Sequence, residues 1–214
     1  MARQLQSVLK DLLRSLHDSK RLAADAYIWS TPGGHGARPH ISAKRRDYIT
    51  EMAFLSAFQA WEVFVEESFV LYLWGRRPPR GSAPSRYAFP PNYVTATIWV
   101  VPEGRPFAEW TDASRVIGRA ERFFRAGRPF AAVLRSNQHL LEEMRTIRNA
   151  VAHKSESARA RFDTLVRTKL GTLPPNYTVG AFLGATAPGT APPISFLESY
   201  VGRIDLAARL IVPS

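Results

Sequence analysis

Apolar side chains recur every three or four positions along most of this chain, the spacing that places them on one face of an α-helix. The pattern predicts a first helix over about residues 3–28 and a second over about 44–74. The second segment is apolar on nearly every side, which is typical of a buried helix at the centre of a bundle. Gly75 and the two prolines that follow it shortly afterwards are expected to end this helix.

The same periodicity predicts four further helices, over about residues 112–126, 129–152, 158–170 and 194–210. Thr111 or Asp112 can cap the first of these, and Ser155 or Ser157 can cap the third, because short polar side chains accept hydrogen bonds from free amides at helix starts. Gly171 is expected to close the third of them. The prediction is therefore a helical bundle.

One stretch departs from the helical pattern. Residues 93–101 read Tyr-Val-Thr-Ala-Thr-Ile-Trp-Val-Val, and such residues favour strands. They predict a single strand or an extended flap at the end of a long loop, 76–102. Because one strand cannot make a sheet, the predicted class stays all-α: about five to six helices, long loops at 76–102 and 173–193, and a short β excursion.

The length and composition of the chain predict one domain over residues 1–214, since 214 residues with 45% hydrophobic content can bury a substantial core. The absence of cysteine excludes disulfides and cysteine-bound zinc. Residues 52–61, the longest uncharged run of the most apolar segment, are too few to cross a bilayer, and the first residues lack the apolar core of a secretory signal. We therefore expect a soluble, cytoplasmic protein with no membrane partner.

Positive charge is concentrated in one part of the sequence. The net charge is +11, and residues 76–135 carry eleven arginines against four acidic residues. A polyanion is the natural partner of such a surface, through phosphate neutralisation and counterion release. A general preference for arginine, shown by only five lysines among 29 basic residues, would account for the total charge but less well for its clustering.

The candidate chemistry lies in residues 144–154, Met-Arg-Thr-Ile-Arg-Asn-Ala-Val-Ala-His-Lys. Arg148 is followed directly by Asn149 and, after three apolar residues, by His153. The planar guanidinium suits phosphate oxygens, and histidine exchanges protons near neutral pH. In one continuous helix Arg148 and His153 would point about 140° apart and would not share a face, and a loosening of the helix near Ala152 would let both converge on one phosphate.

These three residues resemble the Arg-polar-x(3–5)-His motif of the HEPN superfamily, small all-helical proteins of which many are metal-independent ribonucleases. The resemblance extends in pattern over about residues 44–170, because the long apolar helix before the motif carries Glu62, Glu66 and Glu67. It implies a single HEPN-like domain, with the helices at 3–28 and 194–210 packed on that core. The two long loops depart from a minimal bundle of this kind.

The resemblance also implies a reaction. The ribose 2′-hydroxyl would attack its own phosphodiester, with His153 as general base or acid, Arg148 on the scissile phosphate and Asn149 orienting one of them. Arg145 and Lys154 would extend the RNA-binding surface. No cofactor or metal is implied, and DNA would not be cut because it lacks the 2′-hydroxyl.

The implied active unit is a homodimer, because in this family two copies of the motif meet across a two-fold interface to form a composite site. RNA is the expected substrate. The expected biological role is a toxin or phage-defence effector, with an antitoxin or another defence protein as partner.

Two other interpretations remain open. The chain could be a non-catalytic module of the same fold that binds RNA or a protein, with His153 a structural histidine and Arg148 paired with a glutamate. Arg145 and Lys154 would then be ordinary solvated charges. It could also be a basic DNA-binding or scaffold protein, although no compact helix-turn-helix pattern is present. Catalysis requires His153 to be exposed in a cleft facing Arg148 of a second subunit, whereas a structural role allows it to be buried and fully paired.

Overall fold

The computed structural model describes residues 4–31, 40–153 and 155–214, and this part of the chain is all-α, as predicted. Its nine α-helices are α1 (Leu5–Ser30), α2 (Ala43–Trp74), α3 (Tyr93–Val100), α4 (Ala113–Phe123), α5 (Phe130–Ser136), α6 (Gln138–Ala152), α7 (Glu156–Leu170), α8 (Val179–Gly184) and α9 (Phe196–Ile211). None of these helices is long and apolar enough to cross a membrane.

The number of helices exceeds the five to six predicted, for two reasons. The helix predicted over 129–152 is divided at Asn137, where the backbone leaves the helical conformation and the side-chain amide donates to the carbonyl of Val133 at 2.8 Å. In addition, each predicted long loop contains a short helix: α3 lies within 76–102 and α8 lies within 173–193.

The predicted β excursion at residues 93–101 is not confirmed, because most of this run forms α3. Asn92 caps the helix: its Oδ1 accepts a hydrogen bond from the amide of Thr95 at 2.8 Å. Strand propensity expresses packing on a sheet, and the described residues contain no strand with which this run could pair. The only β pairing in the residues that the structure describes consists of two isolated bridges, Arg86 with Phe124 and Thr186 with Ser195.

The predicted caps are confirmed. Asp112 precedes α4, and its Oδ1 accepts from the amides of Ser114 at 3.0 Å and Arg115 at 3.3 Å. Ser155 precedes α7, and its hydroxyl accepts from the amide of Ala158 at 3.3 Å. Gly171 follows α7 with a left-handed φ of 74°, a conformation that glycine adopts without strain. These signals are local, which is why the sequence revealed them.

The described chain forms two compact units, and α1, α2, α6 and α9 each contribute residues to both. The first contains the described residues of 1–13, 60–142 and 204–214. Aromatic rings form the centre of its core: the ring of Phe69 lies 5.0 Å from those of Phe124 and Phe130 and 5.4 Å from that of Trp110, measured between centroids. All four side chains are buried, so this unit has its own apolar centre.

The second unit contains the described residues of 14–59 and 143–203. Here α8 packs closely on the first turns of α2. Asp47 Oδ2 accepts from the hydroxyl of Thr178 at 2.7 Å, and Glu51 Oε1 accepts from the amide of Gly180 at 3.0 Å. A Cβ atom on Gly180 would lie 2.2 Å from the carbonyl oxygen of Asp47, so the close approach of the two helices requires glycine at this position.

Candidate functional site

The motif lies at the C-terminal end of α6, in the second unit. Arg148 and Asn149 belong to the last helical turns, and His153 is the first residue after the helix. The amide of His153 still donates to the carbonyl of Asn149 at 2.9 Å, the ordinary helical bond. The helix therefore remains regular up to Ala152 and does not loosen between Arg148 and His153.

Arg148 and Asn149 are joined by their side chains. Arg148 Nη1 donates a hydrogen bond to Asn149 Oδ1 at 3.1 Å, and both residues are half-buried. Asn149 is also four positions before His153, a spacing that places the two on one face of the helix. Asn149 thus restrains the guanidinium of Arg148 and lies on the same helix face as His153.

The ring of His153 is exposed, and it makes no hydrogen bond or ion pair with any residue that the structure describes. A structural role would allow the ring to be buried, and a buried ring would then be hydrogen-bonded. In the same described residues no ion pair involves Arg148. The chain therefore presents both groups at one helix end without joining them to each other.

Arg145 and Lys154 are the two residues expected to extend the phosphate-binding surface. Arg145 is half-buried in α6, three positions before Arg148, so the two arginines lie on neighbouring parts of one face. Lys154 lies outside the described residues. Arg145 and Arg148 are therefore the two arginines that the structure describes in this part of α6, and Arg145 has an interaction within the fold.

One group of polar residues around the first half of α6 was not predicted from the sequence. Glu143 is buried, with 6% of its surface exposed. Its Oε2 accepts a hydrogen bond from the hydroxyl of Tyr200 at 2.9 Å, and its Oε1 lies 2.6 Å from Nζ of Lys169. We call these three residues the Glu143 cluster. A signal was present, because Glu143 stands four positions before the buried Ile147 and so falls on the apolar face of the helix.

The Glu143 cluster changes the protonation chemistry of its tyrosine. Burial raises the pKa of Tyr200 well above its ordinary range, and the neighbouring carboxylate of Glu143 raises it further, both by its charge and by accepting the hydroxyl hydrogen. A neutral phenol that donates to a buried carboxylate stabilises the fold. It is poorly suited to transferring protons near neutral pH.

Chemically, the end of α6 offers a cation that suits a phosphate, an amide that restrains it and one exposed imidazole. One imidazole can take up a proton or give one, but a phosphodiester cleavage needs both operations at opposite sides of the phosphorus. A second imidazole from another copy of the chain would supply the missing group.

No family model matches the chain, and neither a curated protein nor a solved structure matches it significantly.

Proposed function

We propose that the chain is a metal-independent endoribonuclease of the HEPN type, active as a homodimer with a composite site. The observation that carries this proposal is the exposed ring of His153, without a hydrogen-bond partner in the described chain, beside a hydrogen-bonded Arg148–Asn149 pair. Such an arrangement contributes little to folding and suits a phosphodiester substrate. A cytoplasmic role as a toxin or phage-defence effector, held in check by a partner protein, belongs to the same proposal.

The reaction proceeds in one displacement. His153 of one subunit takes the proton from the 2′-hydroxyl, and the 2′-oxygen forms a bond to phosphorus. The bond from phosphorus to the 5′-oxygen breaks as His153 of the partner subunit gives its proton to that oxygen. The products are a 2′,3′-cyclic phosphate and a 5′-hydroxyl.

The other two residues act on charge and position. Arg148 binds the non-bridging phosphate oxygens with its planar fork, and it gains most in the transition state, where negative charge on these oxygens is greatest. Asn149 restrains Arg148 through the 3.1 Å hydrogen bond. Arg145 and Lys154 bind neighbouring phosphates.

The first test is cleavage of a labelled RNA pool in excess EDTA, with end-group analysis of the fragments. Wild-type protein and a His17→Ala control should both cut and leave cyclic phosphates, because His17 is an exposed histidine of α1 outside the motif. His153→Ala should not cut. If a folded, dimeric wild-type protein leaves RNA intact, the nuclease proposal is wrong and the non-catalytic RNA- or protein-binding module replaces it.

The composite site is tested by mixing. Wild-type and His153→Ala subunits are exchanged at random in equal amounts, and the initial rate is compared with that of the wild type at the same total concentration. If each site needs both histidines, about a quarter of the rate remains, because only dimers of two wild-type subunits cut. About half of the rate would remain if each subunit acted alone, and this result would exclude the composite site.

A further inference from the structure

The first unit contains an open cavity of about 520 Å³ between the end of α3 and one side of α4. The segment 101–107, which connects the two helices, forms its rim. We call this cavity the Trp99 groove. Its volume is in the range of about 300–1,000 Å³ that is typical of sites for small molecules or for parts of larger ligands.

Arginines dominate the charge of the Trp99 groove. Four line it, Arg105, Arg115, Arg119 and Arg122, against a single acidic residue, Glu109. That carboxylate is already engaged, since Glu109 Oε2 lies 3.3 Å from Nε of Arg115. The groove therefore keeps a clear excess of positive charge.

The four arginines are not equivalent. The guanidinium of Arg119 lies 4.3 Å from the ring centroid of Trp110 and donates to the carbonyl of Glu109 at 3.3 Å, so it is held by the fold. Arg105 and Arg122 are exposed, and neither makes an ion pair with any described residue. The guanidinium of Arg122 lies 5.6 Å from the ring centroid of Phe123 and stays exposed there. Both side chains can move to meet an anion at little cost.

Aromatic rings stand beside these free cations. Trp99 is 43% exposed and Phe107 is 69% exposed, although both are large and apolar. Exposed aromatic rings interleaved with arginines are the arrangement by which proteins bind unpaired nucleotides: bases stack on the rings and phosphates meet the cations. In a duplex the base faces are covered by their neighbours and are not available for such stacking.

We propose that the Trp99 groove binds a single-stranded segment of RNA, with bases stacked on Trp99 and Phe107 and backbone phosphates at Arg105 and Arg122. The choice of RNA rests on the proposed function, whereas the stacking and the charge are features of the groove itself. The groove adds a substrate preference to that function: unpaired RNA over duplex.

The test measures binding without cleavage. The parent protein is the His153→Ala variant, so that the RNA stays intact, and the probe is a labelled, unstructured RNA of about 12 nucleotides, followed by fluorescence anisotropy. Trp99→Leu and Phe107→Ala should each weaken binding by about tenfold, and Trp99→Phe should keep most of the affinity. Phe107 lies in a loop and is mostly exposed, so its variant tests the groove even if the Trp99→Leu protein folds poorly.

The arginines are tested by salt dependence. Arg122→Ala should weaken binding and lower the slope of log affinity against log salt by about 0.7, the value for one lost contact with a single strand. Arg203→Ala is the matched control, because it removes the same charge from an exposed position of α9 outside the groove. It should change neither quantity appreciably.

The proposal is overturned if the aromatic variants bind like the parent, if Arg122→Ala and Arg203→Ala have equal effects, or if the same sequence in a duplex binds equally well. It is also overturned if polyglutamate displaces the RNA at equal charge concentration, because an acidic peptide would then be the better occupant. If the aromatic variants bind RNA like the parent while the wild-type protein cleaves RNA, the groove proposal is wrong and the nuclease proposal is unaffected. Binding by the groove in a protein that never cuts RNA would mean the reverse.

Discussion

The first half and the end of α6 carry polar residues of very different kinds. In the first half, Glu143 is buried and meets both the hydroxyl of Tyr200 and the ammonium group of Lys169. At its end, Arg148 is bonded only to its neighbour Asn149 among the described residues, and the ring of His153 is exposed. A buried charge must be paired, since its desolvation would otherwise cost several kcal/mol. The fold does not require an exposed histidine, so the first group points to stability, whereas the position of His153 after the Arg148–Asn149 pair, which the exposed His17 lacks, points to activity.

The largest effect on activity is expected for His153→Ala, which tests whether this residue serves activity rather than stability. We expect the rate of RNA cleavage to fall by roughly 10²–10⁴-fold, the usual contribution of a general acid or base. The free energy of unfolding should change by less than about 0.5 kcal/mol, because the lost ring is exposed. Single-turnover cleavage and urea unfolding measure the two effects. A large loss of stability would show instead that His153 has a structural role.

Glu143→Ala should have the opposite profile. Removing the carboxylate leaves Lys169 and the buried hydroxyl of Tyr200 without their partner, and we expect a loss of about 3 kcal/mol in the free energy of unfolding. Cleavage per folded molecule should be unchanged. The exposed Glu103 provides the control, since Glu103→Ala should cost less than about 0.5 kcal/mol in the same urea titration.

Tyr200→Phe tests the Glu143 cluster more gently. The aromatic packing against Phe54 and Phe196 remains, whereas one hydrogen bond to Glu143 is lost, so we expect a cost of about 1–2 kcal/mol at neutral pH. If the variant is as stable as the wild type, the hydrogen bond contributes nothing.

The pH dependence of the free energy of unfolding gives a second test of the Tyr200–Glu143 hydrogen bond. Because the pKa of Tyr200 is raised in the folded state, its contribution is complete below the ordinary tyrosine pKa of about 10 and is lost as the pH rises above it, when only the unfolded state releases the proton. The stability of the wild type should therefore fall more steeply than that of Tyr200→Phe above about pH 10, as unfolding titrations in urea would show. Parallel curves would contradict this assignment.

Within the motif, a smaller loss of cleavage is expected for Asn149→Ala than for His153→Ala. This variant removes the restraint on Arg148, so cleavage should fall by about tenfold, while the free energy of unfolding changes by less than about 1 kcal/mol. Asn149→Asp keeps an acceptor for the guanidinium and should retain more of the rate. Equal rates in all three proteins would mean that Asn149 does not orient Arg148.

Much of the fold could be predicted from the sequence because helix signals are local. Asp112, Ser155 and Gly171 mark helix ends through bonds to residues within four positions, and all three act as predicted. The run at 93–101 shows the limit of residue propensity. Its strand-favouring side chains form α3, capped by Asn92, since the described chain provides no strand beside it.

The candidate site shows the same division. The residue types of Arg148, Asn149 and His153 indicated phosphate chemistry from the sequence, and their angular separation followed from helix geometry. The exposure of His153 and the 3.1 Å contact between Arg148 and Asn149 could only come from the structure. The Trp99 groove could not be predicted from the sequence either, because the arginine excess at 76–135 did not show which arginines lie near exposed aromatic rings.

Residues a few positions apart were enough to predict the all-α class, the helix ends with strong caps and the identity of the candidate reactive groups. The burial of Glu143 and its hydrogen bond with Tyr200, a residue 57 positions away, follow only from how the chain packs. The tertiary structure also decided that α8 forms against α2, where Gly180 meets the backbone of Asp47. Burial and pairing over such separations depend on how the chain packs, and periodicity and capping carry no information about that packing.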